Sequence, residues 1–246
     1  MNATIKALFD RKSMRKFEDR PVLESDKELI FEAAIQAPTA GNQVLYTILD
    51  IEDPGIKQEL SVLCDNQPFI AQAPMVLIFL ADCRKWQDAY EYAGAQARRP
   101  GLGDILLACE DALIAAQNSV IAAESLGLGS CYIGDILENK ERTAKLLNLD
   151  EYTLPIAMLI YGYPTEQQKA RPKPKRFCSK RIVQKNRYAP MPEAALREMF
   201  DEVKNGPDYD FDDYIKAFCA RKYTSDFSLE MNRSAAEYLK AFMKGS

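Results

Sequence analysis

Residues 11–17 read Arg11-Lys12-Ser13-Met14-Arg15-Lys16-Phe17, four cations and a hydroxyl within seven positions. Guanidinium groups pair bidentately with phosphate and serine adds a neutral donor, so such a cluster can grip a phosphorylated, electron-rich ligand. Taken alone it carries little weight, because most basic clusters are solvated faces or nucleic-acid patches. Its meaning comes from two later stretches, Ala37-Pro38-Thr39-Ala40-Gly41-Asn42 and Gly127-Leu128-Gly129-Ser130-Cys131-Tyr132-Ile133-Gly134. Glycines in the second let the backbone pass close to a flat ring and aim N–H groups at it. That stretch lacks the spacing of a G-x-G-x-x-G dinucleotide loop and no early strand–loop–helix precedes it, which excludes a Rossmann reading.

The segments around these motifs alternate between helix and strand. Thr4–Phe9 is helical and leads into the basic heptad. Ser25 with Glu28 reads as a capping box opening a helix that Pro38 ends near Ala37. Val44–Ile51 reads as a strand, and Pro54 fits the first turn of the next helix. Val76-Leu77-Ile78-Phe79-Leu80 has no polar alternation, so Pro74–Ala81 is a buried strand, as is Pro155–Tyr161. Trp86–Ala97 and the alanine-rich Asp104–Leu126 are helical patterns, and another covers about Asn139–Leu147. Arg171–Pro174 is an extended arm. Glu193–Lys204, Phe211–Ala220 and Ser228–Met243 are helices, the last with Met231, Ala235, Tyr238, Leu239 and Phe242 along one side. The fold class is α+β.

Composition narrows the chemistry. The 246 residues suit one domain with an elaboration. They contain no histidine, which removes histidine-based nucleophile systems, histidine-ligated metals and the usual general base. Six cysteines without a C-x-x-C pair suit reduced thiols in the cytoplasm. The longest apolar run, Met75–Ala81, is far short of the ~18–20 residues of a membrane span, and no secretory signal region opens the chain. Net charge is −4, yet Lys169, Arg171, Lys173, Lys175, Arg176, Lys180, Arg181, Lys185 and Arg187 fall in a stretch free of acids. Without those nine the remaining 23 cations face 36 acids, a charge of −13. Such a field disfavours general nucleic-acid binding, and the basic segment reads as a phosphate grip or a partner-facing arm.

In order and spacing the three motifs resemble the nitroreductase family of FMN-dependent oxidoreductases, over about Thr4–Arg187. The resemblance implies a central mixed, mostly antiparallel sheet flanked by helices. It implies an FMN-binding domain over 1–190 and, over 191–246, a C-terminal helical extension packed on the core or a dimer partner. Arg11 and Arg176 would approach the phosphate and Arg15 the pyrimidine edge, with Lys12, Ser13 and Lys175 also among the cofactor-binding residues. Pro38, Thr39 and Asn42 would lie over the flavin, reaching it from the other subunit of a homodimer. Asn66 or Gln67 would supply an amide to the ring edge, and Cys131, Tyr132, Ile133 and Gly134 backbone donors near N5. The thiol of Cys131 lacks the electropositive setting of a nucleophile. The implied activity is ping-pong transfer from NADH or NADPH to a small electron-poor acceptor, a nitroaromatic or a quinone. Flavin reduction, dehalogenation, metabolite oxidation and non-catalytic flavin binding stay open as alternatives.

Overall fold

The computed structural model describes residues 1–204 and 209–243. By compactness the chain divides into two units, Met1–Arg171 with Glu230–Ser246, and Pro172–Leu229. This partition differs from the 1–190 and 191–246 boundaries expected from the sequence. The last turns of the final helix return to the first unit, where Tyr238 and Phe242 are buried against Tyr152 and Ile105.

The first unit begins with α1 (Ala3–Asp10) and α2 (Glu24–Ile35), then β1 (Tyr46–Asp50), α3 (Pro54–Leu63) and β2 (Met75–Asp82). It continues with α4 (Arg84–Tyr92), α5 (Leu102–Ser125), β3 (Gly129–Ile133), α6 (Lys140–Leu146), β4 (Thr153–Gly162) and α7 (Glu166–Ala170). The strands form one sheet in the order β1-β2-β4-β3, with every neighbouring pair antiparallel. A parallel bridge between Ser13 and Ser130 adds the basic segment to the β3 edge.

The apolar runs in β2 and β4 lack alternation because both faces of the sheet are covered. Met75, Leu77, Phe79, Leu159 and Tyr161 face a cluster built with α2 and α5. Val76, Ile78, Leu80, Met158 and Ile160 face the opposite cluster with Leu60, Ile70 and Ile136. The alanines of α5 pack inward, with Ala108, Ala112, Ala115, Ala116 and Ala123 fully buried. Although four acids interrupt it, α5 is long and apolar enough by composition to cross a bilayer, with a mean hydropathy of 1.4 over its best window. In this fold its buried stripe is core.

Two local expectations are corrected. The capping box at Ser25 does not form, because α2 starts one residue earlier and its N-cap, Leu23, makes no side-chain hydrogen bond. Glu24 and Asp26 in the first turn supply negative charge to the helix N-terminus instead. The helix expected over Trp86–Ala97 ends at Tyr92, where Gly94 turns left-handed at φ 67° and closes the C-terminus.

The second unit holds α8 (Ser179–Ile182), α9 (Glu193–Lys204), α10 (Phe211–Lys222) and the start of α11 (Asp226–Met243). Phe200 centres it, its ring 5.3 Å from Phe177, 5.7 Å from Phe211 and 6.1 Å from Tyr214. Arg181 bridges Glu198 and Glu202 along α9.

Candidate functional site

The basic heptad is held against β3 by backbone and by glycine. The Met14 amide donates to the Ser130 carbonyl at 2.9 Å, in register with the Ser13–Ser130 bridge. The far side of the heptad is fastened to α7. The Arg15 amide donates to Oε1 of buried Gln168 at 3.2 Å, and the Thr165 amide to the Lys16 carbonyl at 3.4 Å.

This fastening separates the cations. Lys12 Nζ donates to the carbonyls of Lys169, at 2.6 Å, and Arg171, so it caps the end of α7. A helix C-terminus is a ready partner for an ammonium, and the chain brings one within reach of Lys12. Arg15 is exposed, its guanidinium 5.8 Å from the centre of the Phe69 ring. Arg11 is half-buried, and its Nη1 is buried with no hydrogen-bond partner. The hydroxyl oxygen of Ser130 is orphaned in the same way. Buried polar atoms in native proteins are nearly always satisfied, so orphans beside one strand point to a missing partner, and on a guanidinium that partner is an acceptor.

Arg15, Ser13 and Arg11 all act on Cys131, the buried centre of β3, so its setting is electropositive, contrary to the sequence expectation. Burial pushes its thiol up, and the Arg15 charge, the Ser13 hydroxyl and the Arg11 charge pull against it. Tyr132 is pushed up to about 12, mainly by burial, with Arg11 opposing. Its hydroxyl donates to Gln117 Oε1 at 3.3 Å. Neither group is therefore a nucleophile or a proton carrier near neutral pH. At the end of the strand Gly134 is exposed, and a side-chain carbon there would meet nothing within 4 Å, so the backbone is open to an approaching surface.

The amide candidates follow Cys64. Gln67 donates from Nε2 to the Cys64 carbonyl at 2.8 Å and to the Asp135 carboxylate. Its donors are therefore engaged within the chain. Asn66 is exposed in a left-handed turn at φ 51°.

The Pro38–Asn42 turn is anchored elsewhere. Asp111 on α5 accepts from the Thr39 hydroxyl, the Ala40 amide at 3.0 Å and the Leu45 amide at 3.1 Å. Arg11, at the end of α1, lines a small cleft with Val120, Ile121 and Glu124, nine or more residues beyond Asp111 on α5. At ~1.5 Å per residue that is about 14 Å along the helix axis between the Asp111 anchor and the Arg11 cleft. Lys175 and Arg176 are exposed in the second unit.

Gln168, Phe69 and Asp111 were not singled out from the sequence. Asp111 did carry a signal, an acid on the stripe marked by Ile105, Ala108, Ala112 and Ala115. The other two gave none, since an isolated glutamine or phenylalanine reads as surface or core.

A model of the nitroreductase family matches residues 8–163. The FMN reductase [NAD(P)H] of Bacillus subtilis is 35% identical over 70% of each chain. The oxygen-insensitive NADPH nitroreductase of Salmonella typhimurium is 32% identical, over 82% of this chain and 81% of its own. The solved structure of the NfrA1 nitroreductase from B. subtilis superposes with a TM-score of 0.80 at 26% identity, covering 98% and 99% of the two chains.

Proposed function

The chain belongs to the nitroreductase family, and from that premise we propose that it is an FMN-dependent oxidoreductase of the cytoplasm. It takes electrons from NADH or NADPH and passes them to flat, electron-poor small molecules such as nitroaromatics or quinones, in a ping-pong cycle. The observation that carries the reading is Nη1 of Arg11, a buried cationic donor without an acceptor. The phosphate of FMN is the acceptor that fits it.

Arg11 and Ser13 would hold that phosphate, and Arg15 would face the electron-rich pyrimidine edge. The open backbone of Cys131–Gly134 would take the N5 side, and Asn66, with the remaining acceptor of Gln67, the ring's hydrogen-bonding edge. When bound, FMN supplies the centre that exchanges a hydride with the nicotinamide and electrons with the acceptor. The chain's own groups bind and orient, because the absence of histidine and the raised Cys131 and Tyr132 leave no side-chain nucleophile in the cluster.

A homodimer completes the site. The distance along α5 between Asp111 and the Arg11 cleft supports delivery of Pro38, Thr39 and Asn42 from a second copy. So does the face of α5 on which Leu106 and Leu113, and Leu107 and Ile114, form two exposed apolar stripes. A second reading, free FMN as the acceptor, is favoured by the flavin reductase among the relatives.

The test is the visible absorption spectrum of the purified protein, with denaturing release and identification of any chromophore. Rates with NADH and NADPH across nitroaromatics, quinones and free FMN follow. A flavin spectrum yielding FMN is the expected result. A colourless protein that takes up no added FMN would overturn the reading, and a flavin that stays oxidised under excess NAD(P)H would reduce it to flavin binding alone.

A further inference from the structure

Asp111 is a carboxylate with 3% of its surface exposed, set among the alanines of α5. Burying such a charge is unfavourable unless strong hydrogen bonds replace water. The three that do so come from one segment: the Thr39 hydroxyl, the Ala40 amide and the Leu45 amide. Thr39 is a relay, since its oxygen also accepts from the Val44 amide at 2.8 Å. Trp86 fastens the same loop from outside, Nε1 donating to the Gln43 carbonyl at 2.8 Å.

The backbone between these fastenings would not hold its shape unaided. Gly41, Asn42 and Val44 are all left-handed, at φ 57°, 57° and 51°. Glycine and asparagine enter that region readily, whereas a β-branched valine there is an outlier. Such backbone persists only where its surroundings over-determine it, and it concentrates at functional surfaces.

We propose that Asp111 is a positioning residue: its carboxylate fixes the 38–45 turn so that Pro38, Thr39 and Asn42 present a set surface to the acceptor over the flavin. Asp111 itself touches neither. The proposal rests on the flavin reading above and adds to it a residue outside all three motifs. A fixed turn limits the poses of a bound acceptor, and displacement of a positioning element by ~1 Å can lower turnover ~100-fold.

The test compares Asp111→Asn, Thr39→Val, the double variant and Thr39→Ser, each as the full chain loaded with FMN. Asparagine keeps the shape of Asp111 but turns one acceptor into a donor facing donors. Amide hydrogen exchange of Ala40 and Leu45, read with and without FMN, should accelerate about tenfold or more in Asp111→Asn, since local opening becomes easier. FMN affinity should stay near wild type while the KM for a nitroaromatic acceptor rises about tenfold, more than kcat for the nicotinamide half-reaction falls. Thr39→Val should move both readouts in the same direction, the double variant should be no worse than Asp111→Asn, and Thr39→Ser should restore them.

Unchanged exchange in Asp111→Asn, altered exchange with an unchanged acceptor KM, or effects that multiply in the double variant would overturn the proposal. Should Asp111→Asn not fold, the amide exchange of Ala40 and Leu45 in Thr39→Val decides, and wild-type exchange there overturns the proposal. A wild type that takes up no FMN sinks the flavin reading and this proposal together. An FMN-loaded wild type beside an indifferent Asp111→Asn sinks Asp111 only.

Discussion

Gly129 and Gly162 are cross-strand partners in the β3–β4 ladder, and together they leave the groove that Met14 and Phe17 fill. A Cβ on Gly129 would stand 2.6 Å from Met14 Cγ, and one on Gly162 would stand 2.7 Å from Phe17 Cγ. The pair lets the basic heptad lie flat against the sheet, and the positions of Arg11, Ser13 and Arg15 depend on it.

Gly129→Ala should therefore act on stability and ligand binding together. The overpacking is worth about 1–3 kcal/mol in urea denaturation. FMN uptake followed by fluorescence quenching should weaken several-fold as the cations shift. A variant with wild-type affinity would mean that the heptad docks without the glycine.

Arg11 and Lys12, adjacent in sequence, should separate by experiment. Arg11→Gln removes a buried orphan donor, so the apo protein should lose no stability, while FMN affinity falls at least tenfold, the scale of one charged hydrogen bond. Lys12→Met should do the reverse. Loss of its bonds to the Lys169 and Arg171 carbonyls lowers stability by ~1 kcal/mol, and FMN affinity stays within about threefold. Parallel FMN titrations and denaturation curves of the two variants check this, and similar behaviour would return Lys12 to the phosphate.

Glu138 gives a pH dependence. It is buried, and burial, followed by the charges of Asp135, Asp65 and Glu230, pushes its carboxyl up to about 7. In the unfolded chain it ionises near its ordinary value of 4.5. Between those values the unfolded state binds fewer protons, so stability falls as pH rises, and the penalty is fully present above about 7. Glu138→Gln should match wild type near pH 4.5 and exceed it at pH 8 by on the order of 1–3 kcal/mol, a few degrees in Tm. Thermal melts of both proteins across that range check the sign; a gain confined to acid pH would contradict it.

Helix α11 offers two contacts of unequal weight. Phe242 is fully buried, its ring edge-on to Tyr152 at 5.7 Å. Phe242→Ala should cost about 3–5 kcal/mol. Arg233 bridges Glu141 and Glu230 at 2.9 and 2.8 Å, but these side chains stay partly in water. Arg233→Ala should cost far less, since water screens an exposed ion pair. Urea denaturation of the two variants checks the order, and a larger loss at Arg233 would overturn it.

Much of the fold was legible because its signals are local. Pro54 opens α3 behind the Asp53 cap, whose side chain accepts from the Ile56 amide. Val76–Leu80, without alternation, is a strand covered on both faces. The capping box at Ser25 misled because two acids in the first turn offered another way to satisfy that helix end. The site was legible as a set of residue types and less so as geometry. Ser13, Arg15 and Cys131 converge, whereas Lys12 is diverted to α7 and the Thr39 turn is tied to a different part of α5.

By itself the sequence determined the α+β class, the family and the absence of any histidine chemistry, since these follow from composition, local periodicity and motif order. Only the tertiary structure decided which cation of the heptad is left without a partner, that the Cys131 thiol is held protonated, and that Asp111 fastens the turn. Hydrogen-bond satisfaction and burial are settled between residues far apart in sequence, as with Lys12 and Arg171, Ser13 and Ser130 or Thr39 and Asp111, and no local pattern encodes them.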